Sequence, residues 1–188
     1  MTVIKKINAV LSLLTVSALF IHIGYTVFSY LTFFYNPTLK IITALPFMIL
    51  TCVHAVLGMC SVFLLNDGTR LDIYGKQNVR TMIQRISAAL IFPLLFIHLK
   101  TFALLKTSSE SGRWFLFVLV IVVQVLFFAV VLLHTSVSFS KALITLGFLK
   151  NTKTLRGVDK AVFIVCALTF LVASFAVVRG QSIMFLPK

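Results

Sequence analysis

Five uninterrupted apolar runs, each long enough to cross the roughly 30 Å hydrocarbon core of a bilayer, constrain this chain more than any other feature. They fall at approximately 8–33, 41–65, 83–105, 114–142 and 161–178. Within them the apolar residues do not alternate with polar ones, which excludes a transmembrane barrel and leaves helices. Composition agrees. Of 188 residues 60% are hydrophobic and only 11% charged, too few charges to cover a soluble domain of this size. The expected fold is therefore all-α: a five-transmembrane-helix bundle forming one domain over 1–188.

The connections carry turn residues: Asn36-Pro37, Asn66-Asp67-Gly68, Ser108 to Gly112, and Asn151 to Gly157. Seventeen Lys and Arg against four Asp and Glu give a net charge of +13. That excess lies in short loops between apolar runs, which points to topology, anionic lipid or a docked partner, and not to nucleic acid. Eleven basic residues fall on the side of the N-terminus and six on the other. The positive-inside rule then predicts a multi-pass protein of the cell (inner, cytoplasmic) membrane with a cytoplasmic N-terminus. The opening "MTVIKKINAVLSLLTVSALF" has the look of a signal peptide. Its apolar run continues to about Phe33 without a small-x-small cleavage site, so a retained first helix is expected. Cys52, Cys60 and Cys166 all lie inside apolar runs, and no CxxC or CxxCH occurs. This excludes a disulfide framework and covalently attached haem, and leaves the cysteines as packing residues.

The four histidines, His22, His54, His98 and His134, lie one in each of the first four runs, with none in a loop. Imidazole in hydrocarbon is costly unless something binds its lone pair or its N–H. Counted along a helix, His22 and His98 sit about 15 residues from the inner end, roughly 22 Å up. His54 and His134 sit about 8 to 11 residues from it, roughly 12 to 17 Å up. The four sort into two level pairs on different helices, the arrangement of two bis-imidazole b-type haems. Thr15, Ala18, Thr26 and Ser29 share a stripe with His22. Gly58 and Ser61 follow His54, and Ser138 and Lys141 follow His134, at helical spacing. Small residues let a flat macrocycle approach, and hydroxyls can orient an imidazole. Small residues also pack bare helices together. Four ligands at two depths do not converge on one zinc or copper ion. A proton relay would want Asp or Glu inside the runs, and there is none.

A block of about 55 residues carries a resemblance: "VHAVLG" preceded by Pro46, with His54 and Gly58; then "YGKQNVR", with Tyr74, Gly75, Asn78 and Arg80; then "QRISA", with Gln84, Arg85, Ile86 and Ser87; then His98. In order and spacing it resembles the di-haem, five-helix cytochrome b membrane anchors of succinate dehydrogenase and fumarate reductase (succinate:quinone and quinol:fumarate oxidoreductases). The Ser-rich "HTSVSFSKAL" after His134 is similar to the family's fourth helix. Ala88 stands where the family has glycine. The neighbours of His134 are Leu132, Leu133 and Thr135, where some members have an acid.

The resemblance implies two haems b with axial ligands His22 with His98 and His54 with His134, the same pairs that depth gives. It also implies electron transfer between membrane quinone (menaquinone or ubiquinone) and a cytoplasmic flavoprotein with an iron–sulfur subunit, with a dimer of such complexes allowed. Arg85, Ser87 and Lys141 are further candidates for cofactor binding, and Arg80 and Arg85 for pairing haem propionates or a partner's carboxylates. Arg85 at a helix start is equally a topology anchor. Tyr25, Tyr30, Lys100 and Glu110 are the polar candidates for a quinone site on the outer face, although Glu110 reads equally as a solvated loop residue. No nucleotide or FAD fingerprint is present, so dicarboxylate chemistry would belong to partners and no catalytic residue is assigned here. Rival readings are a di-haem cytochrome serving another flavoprotein reductase or dehydrogenase, and a haem-free helical transporter or scaffold.

Overall fold

The computed structural model describes residues 3–63 and 75–186. It is all-helical: α1 Val3–Thr32, α2 Pro37–Phe63, α3 Gly75–Glu110, α4 Trp114–Thr145 and α5 Thr152–Phe185. All five are long and apolar enough to cross a membrane. Together they make this a multi-pass membrane protein by length and composition. Large apolar side chains cover the outside, Phe96, Phe115 and Phe175 among them. In water such a surface would aggregate; in lipid it is the solvated face.

The helices outrun the apolar stretches. α3 begins at Gly75, where the apolar run begins near 83, and α5 covers 152–185 around the run 161–178. Charged and polar residues beyond the hydrocarbon remain good helix formers, so the backbone stays helical into the interface. The turn expected at Asn151 to Gly157 is thus mostly helix. Asn151 caps it, its side-chain oxygen accepting from Thr154 N at 2.7 Å. The turn at Asn36-Pro37 is present. Asn36 Oδ1 accepts from Thr38 N and Leu39 N, and Pro37 occupies the first helical position, where its missing N–H costs nothing. The third connection turns at Gly112, whose φ of +65° favours glycine. The expected Asn66-Asp67-Gly68 turn lies outside the described residues.

Two helical hairpins, α1/α2 and α3/α4, form the frame, and α5 packs on α4 and α1. One core cluster joins Tyr30 of α1 to Ala176 and Val177 of α5, with Val27 and Phe128 against it. A second joins Leu105 of α3 to Phe117 and Val120 of α4, with Phe185 of α5 alongside. Among the described residues α1 has no substantial interface with α3, and α2 has none with α3 or α4.

Two contacts lock α5. At one end Gly180 lies so close to Tyr30 that an added Cβ would meet Tyr30 Cδ1 at 2.2 Å and Tyr30 Cβ at 3.0 Å. At the other, Arg80 of α3 holds Asp159 of α5 through both carboxylate oxygens, each at 2.9 Å. The same guanidinium donates to Ser140 Oγ at 2.6 Å and to the Val137 carbonyl at 2.8 Å, both on α4. Arg80 therefore ties three helices together, a use only a planar fork of donors allows. Four of its five N–H donors are thereby used within the chain.

Two outcomes follow for stability. Gly180→Val should destabilise the detergent-solubilised protein by about 1–3 kcal/mol, the range for overpacking, whereas Gly24→Ala, with nothing within 4 Å, should be neutral. Thermal unfolding followed by circular dichroism checks both. Arg80→Lys should behave like Arg80→Ala in the same assay, because an ammonium cannot span Asp159, Ser140 and the Val137 carbonyl at once.

Candidate haem-ligand histidines

Each of the four histidines sits within its helix, half-buried. His22 of α1 lies within electrostatic range of His98 of α3, and His134 of α4 within range of His54 of α2. Both pairs join helices that do not pack substantially on each other. Each pair therefore spans the two hairpins and lies within neither.

The surroundings of the imidazoles differ. His22 stacks on Phe47 of α2, with ring centroids 5.7 Å apart and planes at 14°. His98 stacks on Phe127 of α4 at 4.8 Å. Through Nδ1 it also lies 2.6 Å from the carboxamide of Gln124 on α4. His134 Nδ1 is 3.1 Å from the backbone carbonyl of Gln84 and 3.1 Å from Ser87 Oγ, both on α3. A carbonyl only accepts, so His134 carries its proton on Nδ1 and keeps a lone pair on Nε2. His22 and His54 instead leave Nδ1 buried without a hydrogen-bond partner.

Ser87, named from the sequence as a candidate for cofactor binding, is 3% exposed and lies against His134. The other hydroxyls named as imidazole orienters act differently. Thr26 donates to the His22 carbonyl at 2.8 Å and Thr15 to the Leu11 carbonyl at 2.8 Å. Ser61 donates to the Leu57 carbonyl at 3.0 Å and Ser138 to the His134 carbonyl at 2.5 Å. Ser29 reaches the Phe34 carbonyl past the helix end. On a helix in hydrocarbon the carbonyl one turn back is always within reach, and it outcompetes a ring on another helix. Lys141 is exposed at the basic end, donating to Thr81 Oγ1 and Gln84 Oε1. Arg85 is half-buried one residue beyond Gln84.

The quinone candidates do not converge. Tyr25 is taken up by the α1–α2 turn, donating to the Asn36 carbonyl at 2.8 Å and accepting from Asn36 N at 3.0 Å. Tyr30 is 7% exposed, accepts from Gln181 Nε2 at 3.2 Å and stacks on Phe102. Glu110 is exposed 3.8 Å from Lys106 on its own helix, as a solvated residue would be. Lys100 is exposed on α3.

Two residues that sequence reasoning passed over belong to the site. Gln124 is one. It is the single polar residue in the twenty from Trp114 to Leu133, and that isolation was a legible signal. Lys40 is the other. Its ammonium is coupled to both His22 and His98 and lies over the rings of Tyr35 and Phe102. It sits one residue before the second apolar run, where it read as a charge marking the membrane boundary.

The donor set fits two bis-imidazole haem sites. Each pair offers two imidazoles from facing helices, and at least one imidazole of the inner pair presents Nε2 with its lone pair free of a proton. Among the described residues no three of His, Cys, Asp or Glu gather at one point. No protein-family model matches the chain, and comparisons with curated proteins and with solved structures likewise return no match.

Proposed function

We propose that this chain is the cytochrome b membrane anchor of a succinate dehydrogenase/fumarate reductase-type complex, holding two haems b. The observation that carries the reading is four intramembrane histidines, one on each of α1 to α4, that pair across helices making no substantial interface. His22 and His98 would hold one haem, and His54 and His134 the other. When bound, the haems supply one-electron redox chemistry at two depths of the membrane.

The chain's own part is to fix the axial imidazoles and to set their distance from each face. Ser87 and the Gln84 carbonyl hold the proton of His134 away from the ligating nitrogen. Phe47 and Phe127 stack against the outer pair and restrict ring rotation. Quinone, as menaquinone or ubiquinone, would exchange electrons from the lipid phase. A flavoprotein and an iron–sulfur subunit would dock on the basic end, placed in the cytoplasm by the charge asymmetry. Lys150, Lys153, Arg156 and Lys160 are exposed there and suit an acidic partner.

Purified under conditions that retain cofactor, the protein should give two non-covalent haems per chain by pyridine haemochrome. One haem or none would count against the reading. Alanine at His22 or His98 should remove one spectral component, and alanine at His54 or His134 the other. Loss of the same component from His22→Ala and His54→Ala would break the pairing.

Docking has a separate test. Arg80 is committed to Asp159, so charge reversal belongs at exposed positions. Lys153→Glu with Arg156→Glu should weaken co-purification of the soluble subunits while haem content stays constant. Normal assembly of that variant would leave the charge a topological feature only.

A further inference from the structure

We infer that Gln124 is the positioning residue of the outer pair, holding the proton of His98 on Nδ1 so that the Nε2 lone pair would be free to hold a haem iron. This rests on the reading of His98 as an axial ligand.

Gln124 is 3% exposed, and its carboxamide is placed with Nε2 2.6 Å from His98 Nδ1 and Oε1 2.9 Å from Thr101 Oγ1. Thr101, itself 3% exposed, is also 3.0 Å from the Ile97 carbonyl. A carboxamide presents nearly the same shape with its oxygen and nitrogen exchanged, so the network decides which way it points. If the nitrogen faces His98, the single hydroxyl hydrogen of Thr101 is claimed by two acceptors, the Gln124 oxygen and the Ile97 carbonyl. If the oxygen faces His98, the His98 Nδ1–H, one carboxamide hydrogen and the Thr101 hydroxyl hydrogen each have an acceptor of their own. His98 Nδ1–H then donates to Gln124 Oε1, Gln124 Nε2–H to Thr101 Oγ1, and Thr101 Oγ1–H to the Ile97 carbonyl. Unmade bonds are costly in hydrocarbon, which favours the second arrangement. It leaves the lone pair of His98 on Nε2.

A lone amide in a twenty-residue apolar run also needs a reason to be there. Holding a ligand imidazole supplies one. The two α3/α4 ligands are then held reciprocally, His98 of α3 from α4 and His134 of α4 from α3. They differ in what holds them. His134 leans on a backbone carbonyl that mutation does not remove, whereas His98 depends on a replaceable side chain. An Nδ1–H that donates strongly makes the imidazole a better electron donor to iron and favours the oxidised state.

The test is a redox titration of purified protein, following the two spectral components, with the outer one assigned by its loss in His98→Ala. Gln124→Leu should raise the midpoint potential of the outer component, or lose that haem, and leave the inner one in place. Gln124→Glu should hold the outer potential at or below the wild-type value. Thr101→Val should shift it in the same direction as Gln124→Leu, by less. It also carries the test if Gln124→Leu fails to accumulate. An outer potential unmoved by these substitutions, equal shifts of both components, or Gln124→Glu behaving like Gln124→Leu would overturn the assignment while the di-haem reading stands. A haem-free wild-type chain would overturn both.

Discussion

Hydrocarbon offers no hydrogen bonds to a side chain, and that constraint governs the polar residues in the first four helices. A donor or acceptor there has two outlets: its own helix one turn back, or a neighbouring helix close enough to reach. Thr15, Thr26, Ser61 and Ser138 take the first. Their hydroxyls are short, and the carbonyl is already in place. Histidine and glutamine are too long to fold back on their own helix. They must be met from elsewhere, so they record which helices are neighbours. His98 is met by Gln124 and His134 by Gln84 and Ser87, which fixes the rotation of α3 against α4.

His22 and His54 have no such partner at Nδ1, although both are held among packed helices. An unsatisfied buried nitrogen costs about 1–3 kcal/mol, and a histidine kept only for packing would readily be replaced by leucine. The two unsatisfied imidazoles both belong to the α1/α2 hairpin, and each lies within electrostatic range of a satisfied one on α3/α4. His98 and His134 are thus oriented by hydrogen bonds across the α3/α4 hairpin, whereas His22 is oriented by stacking on Phe47 within the α1/α2 hairpin.

The elements legible in the sequence were those set by one-dimensional quantities. Apolar run length gave five helices, and rise per residue gave the expected depths of His22, His54, His98 and His134 on which the proposed pairs rest. The "QRIS" segment, through the family it resembles, pointed to Ser87, which the fold sets against His134. What escaped depends on which helices face each other. Arg80 read as a free interfacial charge because its partner Asp159 lies 79 positions away on α5. The helical start of α5 was hidden by a glycine and charges that suggested a turn. Tyr25 and Tyr30 read as site residues because a tyrosine in an apolar run is conspicuous, yet both hydroxyls serve the fold.

Proline placement completes the picture. Pro46 interrupts α2 eight positions before His54, and Pro93 interrupts α3 five positions before His98. Each removes an N–H from its helix and frees the carbonyl one turn back, which loosens the ladder locally. A uniform helix would carry each imidazole at an angle set by packing along its whole length. A missing backbone hydrogen bond ahead of the histidine makes that turn the easiest place for the helix to bend. In α3 the part before the break holds Arg80 in its three-helix clamp and Ser87 against His134, while the part after it carries His98 and Thr101. One helix can then serve two sites at different depths without the geometry of one dictating that of the other.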